Sequence, residues 1–359
     1  MRSALWPPSL HLVGSKGVGG AERWVQRFAV ALAAQRAPAL VGVRAGSAVA
    51  GLDMGGLPVR TLPFLSVWDP ISRSAVTRLI REQRPAIVQT YMGRATRLTR
   101  HTGGAVHLAR LGGYYKLASY RHADAWVGNT RGLCDWMIAG GLPAARVHQI
   151  YNFVDAPEPL PDAEISALRD SLGIPADALV LVVLGRLVPV KGHASLVAAL
   201  ARLPAEIDGR RWRLLIVGDG PLRAGLAHQA ARLGIGERLV WAGWQPVPGP
   251  YLQLADLVVF PSRDPETLGN VILEAWAWRR PLLTTRFRGA REIARHGEDA
   301  WCVPCDDPPA LADGIRQLLA DRALRLTLAD RGAARAAADF GRETIMAQYL
   351  DLYRQLVGP

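Results

Sequence analysis

Four charged residues carry the chemistry most readily read from this chain: Arg186, Lys191, Glu266 and Glu274. Arg186 and Lys191 lie five positions apart in Gly185-Arg186-Leu187-Val188-Pro189-Val190-Lys191-Gly192, directly after a strand-like apolar run. Cations at that spacing can converge on one diphosphate, the arginine as a fork and the lysine as a movable point charge. Neutralising a leaving diphosphate is a large electrostatic contribution to group transfer. Glu266 and Glu274 belong to the run from Pro261 to Ala275. Read with a helix over 268–278, the eight-residue spacing separates the two carboxylates by ~12 Å. That distance suits hydroxyls at the two ends of a nucleotide-sugar. The amides of 267–270, at the start of that helix, can hold phosphate.

A second loop, Gly14-Ser15-Lys16-Gly17-Val18-Gly19-Gly20-Ala21-Glu22, is also built to meet an anion, because glycine lets backbone amides come close. It lacks the lysine of a Walker A loop and the third glycine of a dinucleotide fingerprint. What remains is a flexible glycine turn that can meet a ligand.

These loops need strands and helices behind them. Apolar strand-like runs at 10–13, 39–43, 59–64, 86–91, 105–109, 125–128 and 147–151 alternate with helical patterns such as 21–35 and 70–83. Residues 153–163 are acidic and proline-rich and read as a linker. The alternation then restarts with the buried-strand run 178–184, helix 193–203, strand 213–217, helix 222–233 and strands 239–242 and 257–260. Strands 281–285 and 300–303 follow, with helices 308–324, 327–339 and 342–356. The pattern predicts an α/β chain of two doubly wound, Rossmann-like domains forming a cleft, with ligands at the carboxyl ends of the strands. The boundary falls at 155/156.

Composition narrows the partners. The formal net charge is +12, and residues 1–150 carry 19 basic against 6 acidic residues. The remainder is nearly balanced, with 24 against 25. A basic first half suggests an anionic partner: nucleic acid, anionic lipid or a phosphorylated acceptor. Only three lysines (Lys16, Lys116, Lys191) stand among 40 arginines, which marks Lys191 as a position suited to a compact charge. Three cysteines argue against a disulfide framework, and the Cys302-x-x-Cys305 pair is read as two small apolar residues at a strand end. No apolar run approaches the ~18–20 residues of a membrane span. The first ten residues do not read as a secretion signal. The expectation is a soluble cytoplasmic protein.

Taken in order, Gly-Gly-Ala-Glu at 19–22, Gly-Arg-x4-Lys-Gly at 185–192, Val-Gly-Asp-Gly-Pro-Leu at 217–222 and Glu-x7-Glu at 266–274 resemble glycosyltransferase family 4, the group 1 retaining transferases of GT-B fold. The resemblance extends to residues 150–155 and 239–244 and covers nearly the whole chain. The run from Glu266 to Ala277 looks most like members that build lipopolysaccharide or other envelope glycans. The resemblance implies a nucleotide-sugar donor, with Arg186 and Lys191 on its diphosphate, Glu274 on the ribose and Glu266 on the sugar. Leu268, Gly269 and Asn270 would give backbone contacts to phosphate. Gly19 and Gly20 would approach phosphate and acceptor from the first domain. The nucleobase would sit near Val240–Trp244, and Asn152 falls at the domain junction as a further donor contact. The final helix would return to the first domain. A histidine that many members carry after a first-domain strand is absent, with Arg110 close to its place. Arg110 is therefore a candidate contact to sugar or phosphate, with His101 and His107 as alternatives. No Asp-x-Asp occurs, so neither a metal nor another cofactor is expected.

The acceptor is expected to be an anionic glycolipid or phosphorylated glycan at the inner-membrane surface, with Phe64, Leu65, Trp68, Tyr114 and Tyr115 available for interfacial contact. The competing reading is a non-catalytic peripheral membrane scaffold of the same fold. A nucleic-acid binder is not expected, since no recognition motif accompanies the high isoelectric point.

Overall fold

The computed structural model describes residues 6–358. The reading of the N-terminus as lacking a secretion signal rests partly on residues 1–5, which lie outside the described residues. The described chain divides into two compact units, one running to Asn152 and resuming at Arg342, the other spanning Phe153–Gly341.

Unit 1 holds a parallel sheet of β1 (Ser9–Val13), β2 (Ala39–Arg44), β3 (Val59–Leu62), β4 (Ile87–Tyr91), β5 (Val106–Leu111), β6 (Ala125–Gly128) and β7 (Val147–Gln149). Its helices are α1 (Gly20–Ala34), α2 (Pro70–Gln83), α3 (Met92–Leu98) and α4 (Arg131–Ala139). The strand order is β3-β2-β1-β4-β5-β6-β7. The order reverses between β1 and β4, which makes the carboxyl ends of those two strands the place where such a sheet opens a crevice. Residues Ser9 to Val13 are all buried and pair in register with both β2 and β4. Helix α2 starts where the sequence says it must: Pro70 fits the first turn, and the Asp69 carboxylate accepts from the amides of Ile71 and Ser72, each at 3.0 Å.

Unit 2 repeats the plan. After α5 (Asp162–Ser171) come β8 (Leu179–Leu184), α6 (His193–Leu200), β9 (Glu206–Ile207), β10 (Arg210–Val217), α7 (Arg223–Arg232) and β11 (Leu239–Gly243). Then follow α8 (Gly249–Gln253), β12 (Leu257–Phe260), α9 (Asn270–Ala277), β13 (Leu282–Thr285), α10 (Arg288–Ile293) and β14 (Trp301–Val303). Helices α11 (Pro308–Ala320) and α12 (Arg322–Phe340) close the unit. The order β11-β10-β8-β12-β13-β14, with β9 beside β10, reverses between β8 and β12. Every residue of β8 is buried, as a central strand covered on both faces requires. The core around it takes in Trp212, Leu214, Ile216, Ile315 and Leu318.

The last helix, α13 (Arg342–Val357), belongs to unit 1. Aromatic rings account for much of this: Tyr349 lies 4.6 Å from Phe28 and 6.2 Å from Trp24, and Tyr353 lies 5.5 Å from Trp6. A buried polar chain adds direction. Tyr353 donates to Gln89 Oε1 at 2.6 Å, Gln89 donates to Tyr91 Oη at 2.7 Å, and Tyr91 meets His11 Nδ1 at 3.0 Å. Every link is buried, so breaking one leaves a polar group unpaired at about 1–3 kcal/mol.

Some boundaries depart from the sequence reading. The helix expected from 268 begins at Asn270. Helix α5 occupies part of the expected linker and the stretch behind it, where no helix was anticipated. The predicted 308–324 and 327–339 helices are divided instead at Asp321, whose carboxylate caps α12 through the Leu324 amide. Phe64 is fully buried and Tyr114 packs against the core around Trp126, whereas Leu65, Trp68 and Tyr115 are exposed.

Candidate active site

The loops that leave β8 and β12 meet at the point where the unit 2 sheet reverses. Gly192 makes the meeting possible. Its φ is +68°, and a Cβ there would lie 1.9 Å from the Pro261 carbonyl oxygen. Only glycine accepts that backbone and that approach. Lys191, one residue earlier, ends a short 3-10 turn over Pro189–Lys191. Its Nζ lies 2.7 Å from Glu266 Oε2, in a pair of which each side chain is about one-sixth exposed, at 17% and 16%. Ser262 Oγ donates to the same carboxylate oxygen at 3.4 Å, and the Phe260 ring centroid lies 5.0 Å from Nζ.

The pair joins residues 75 positions apart. Partial burial costs both ions hydration, so its worth as net stability is small. Its effect is positional: it fixes an ammonium and a carboxylate over the ends of two adjacent strands. Arg186, by contrast, is exposed, and its guanidinium has no ion-pair partner among the described residues. Its five N–H donors leave the same β8 loop that carries Lys191.

Helix α9 supplies the rest. Gly269 precedes it with φ +73°, and a Cβ would strike Phe260 at 2.6 Å and Phe287 at 2.8 Å. Leu268 is buried at 1% exposure, so any contact it makes to a ligand is through its backbone. Asn270 opens the helix and is half-buried, and Glu274 is half-buried on the second turn. The first-turn amides lack intrahelical acceptors and carry the positive end of the helix dipole. Because the helix starts at Asn270, Glu266 lies in the loop before it, and the ~12 Å helical separation does not apply. Val240 is half-buried within β11, opposite Leu215. Trp244, just beyond that strand, is 60% exposed.

Two residues near this centre were not anticipated. Ser262, fully buried, was not singled out although it bonds Glu266. His193 is 3% exposed, and neither ring nitrogen has a hydrogen-bond partner. Burial, with the Lys191 charge second, pulls its pKa down to about 4, so it is neutral at physiological pH. Its position directly after Lys191-Gly192 was the available signal.

In unit 1, Gly19 caps α1 in extended conformation and Gly20 opens that helix; both lie in the turn after β1. Glu22 returns to accept from the Gly19 amide at 2.8 Å. The β1/β4 reversal carries a cavity of about 200 Å³ lined by Gly14, Ser15, Lys16, Met92 and Arg94 among others. Arg94 donates to the Gly14 and Phe64 carbonyls at 3.2 and 3.3 Å.

Arg110 and Asn152 meet inside unit 1. Both are buried, at 4% and 5% exposure, and they bond each other. Arg110 also donates from Nε to Tyr349 Oη at 3.2 Å and stacks 4.4 Å from the Trp24 ring centroid. Arg110 thus bridges β5 and α13, with Asn152 as a further acceptor. Trp24 of α1 and Tyr349 of α13 enclose the guanidinium and screen it from solvent. His107 is also buried, bonded to Thr90 Oγ1 at 3.0 Å, while His101 is exposed.

Residues 18–157 match the family described as Glycosyltransferase Family 4, and residues 164–335 match Glycosyl transferases group 1. The lipopolysaccharide core biosynthesis glycosyltransferase LpsE of Rhizobium meliloti (strain 1021) is 33% identical over 337 residues, covering 93% of this chain and 95% of that protein. LpsD of the same strain is 33% identical over 77% of this chain and 78% of its own length. Among solved structures, Anabaena Alr3699/HepE in complex with UDP-glucose superposes with a TM-score of 0.85 at 24% identity, covering 96% of this chain and 99% of that one. That likeness gives the fold, GT-B, with its two Rossmann-like domains. LpsE matches at 33% identity along nearly the full length of both chains, and the protein belongs to the family 4, group 1 glycosyltransferases.

Proposed function

We propose that this glycosyltransferase moves a sugar, with retention, from a nucleoside diphosphate donor to a lipopolysaccharide core or lipid-linked glycan acceptor. The observation that carries the donor half is the Lys191–Glu266 pair beside the uncommitted Arg186, set where the unit 2 sheet reverses. A diphosphate there would draw Lys191 Nζ and Arg186 to its oxygens and leave Glu266 free to accept from sugar hydroxyls. Asn270 and the amides before it would hold the phosphates, and Glu274 the ribose.

In the transfer, the bond from the anomeric carbon to the diphosphate oxygen breaks while the bond to the acceptor oxygen forms on the same face. The acceptor proton passes to the departing phosphate. The two cations stabilise the charge that grows on the diphosphate. In this reading Arg186 and Lys191 alone neutralise the diphosphate. The names of LpsE and LpsD support the lipopolysaccharide core as acceptor.

A donor panel of UDP-, GDP- and ADP-sugars tests the donor half, read as protection against thermal unfolding. A ligand at a hundred times its Kd is expected to stabilise by about 2.7 kcal/mol. UDP-glucose, the ligand of the HepE structure, is the first to try. If no nucleoside diphosphate or nucleotide-sugar shifts the transition, the donor reading fails.

We also propose that unit 1 rests on the anionic inner-membrane face. Among the described residues no helix is long and apolar enough to cross a membrane. Leu65, Trp68 and Ile71 are 57%, 67% and 63% exposed around the start of α2. Arg97 stacks 3.3 Å from the Trp68 ring centroid, and Arg73 and Arg97 both lie close enough to Arg100 to repel its charge. Exposed indole and aliphatic groups ringed by arginine suit an anionic interface. Co-sedimentation with phosphatidylglycerol-containing vesicles is expected to fall with added salt and to be lost in Trp68→Ser. Equal binding to pure phosphatidylcholine would contradict this placement.

A further inference from the structure

The carboxyl ends of β13 and β14 frame another cavity, wholly within unit 2, of about 620 Å³. That is ample for a saccharide with a charged substituent, since small-molecule sites run to roughly 300–1,000 Å³. Arg286 enters it directly after β13, and Cys305 and Asp306 just after β14. Arg263 and Asp264 come from the loop that carries Glu266, and Arg291 comes from α10.

The charges are arranged unevenly. Arg263 Nε is 2.5 Å from Asp306 Oδ1, and Arg291 Nη2 is 3.6 Å from Asp264 Oδ2. Asp264 also accepts from the Arg288 amide at 2.7 Å, with Arg288 Nε 3.7 Å from its other oxygen, and Asp306 Oδ1 accepts from Ser195 Oγ at 3.3 Å, which leaves Asp306 Oδ2 the least engaged carboxylate oxygen. Arg286 is different: its backbone oxygen accepts from Arg291 at 2.7 Å, but its own exposed guanidinium has no carboxylate or carbonyl partner among the described residues. The lining therefore offers one uncommitted fork of donors, two further guanidinium groups and the spare lone pairs of two carboxylates. Arginine forks fit carboxylate and phosphate, while aspartate oxygens accept from sugar hydroxyls.

We propose that this cavity is a ligand site separate from the donor centre, taking an anionic saccharide whose phosphate monoester or carboxylate lies on Arg286 and whose hydroxyls reach Asp264 and Asp306. On the transferase reading above, that saccharide is a charged unit of the acceptor. The cavity shares its walls with the loops bearing Lys191 and Glu266, since Pro189 and Val190 also line it.

The test is calorimetric titration of the full chain with UDP held at saturation. Glucose 6-phosphate and glucuronate are expected to bind, and neutral glucose is not. Arg286→Ala is expected to weaken the anionic sugars by about tenfold, or 1.4 kcal/mol, while UDP binding stays unchanged. The proposal is overturned if glucose 6-phosphate binds no better than glucose, or if Arg286→Ala has no effect. It is also overturned if inorganic phosphate binds as tightly as the sugar phosphate, which would mean an anion site only, or if UDP displaces the sugar. Should UDP itself fail to bind while the Arg286-dependent sugar binding persists, the donor reading falls and this site stands.

Discussion

Lys191→Ala is expected to lower the rate of sugar transfer by about a hundred- to a thousandfold, the range seen when one preorganised charge-stabilising donor is removed. The ammonium is held 2.7 Å from Glu266 in the resting site and would be released to the diphosphate as charge develops there. Its loss is felt mainly in kcat, because the leaving group is most negative in the transition state. Lys191→Arg keeps the charge but not the compact point geometry, and is expected to recover only part of the rate. Far-ultraviolet circular dichroism of the variant checks that the fold is kept, because Lys191 is only 17% exposed and its loss leaves Glu266 without its ion-pair partner. Turnover within threefold of wild type would remove Lys191 from the chemistry. Absence of any transfer by the wild-type protein across the donor and acceptor panel would instead favour the scaffold reading.

The sheets were legible because their central strands are covered on both faces. A strand such as β8 must then be a continuous apolar run, and one such run can be seen without any neighbour. Helix α5 was not legible for the opposite reason. None of its residues is buried, so no apolar stripe marks it, and it follows a proline-rich stretch that reads as linker. The start of α9 was misplaced because Leu268 fits a helical pattern, whereas the chain turns into the helix only after Gly269 in left-handed conformation.

The loops that carry Lys191 and Glu266 announced themselves through local spacing. What spacing could not show was the pairing of Lys191 with Glu266, which depends on the reversal of strand order between β8 and β12. Arg110 shows the same limit from the other side. Nothing in the sequence around this strand-end arginine shows that Tyr349, 239 positions later, packs beside it and takes one of its donors. The arginines of the β13/β14 cavity come from the loop after β12, the end of β13 and helix α10, and no one-dimensional pattern links them.

Acidification from pH 7.5 to 5.5 is expected to destabilise unit 1 by about 3 kcal/mol, through His11 and His107. His11 is buried among Ser9, Phe28 and Tyr91, and its pKa is pulled down to about 3 by loss of hydration. His107 also falls to about 3, by burial first and then by His122 and Arg100; its backbone amide donates to the Asp124 carboxylate. The unfolded chain, with histidines near 6.5, binds protons in this range while the native state does not. Stability is therefore complete above about pH 7.5 and declines as pH falls through 6.5, continuing toward the folded value. At pH 5.5 each histidine costs about 1.4 kcal/mol. His122 and His148 are lowered as well, chiefly by burial, and act in the same direction. Urea unfolding of the full chain at the two pH values, followed by a probe confined to unit 1, measures the loss. His11→Gln is expected to remove about half of the loss assigned to this pair, whatever it does to stability at pH 7.5, because the readout is the difference between the two pH values. An unchanged pH difference in that variant would show that His11 is not held neutral by the fold.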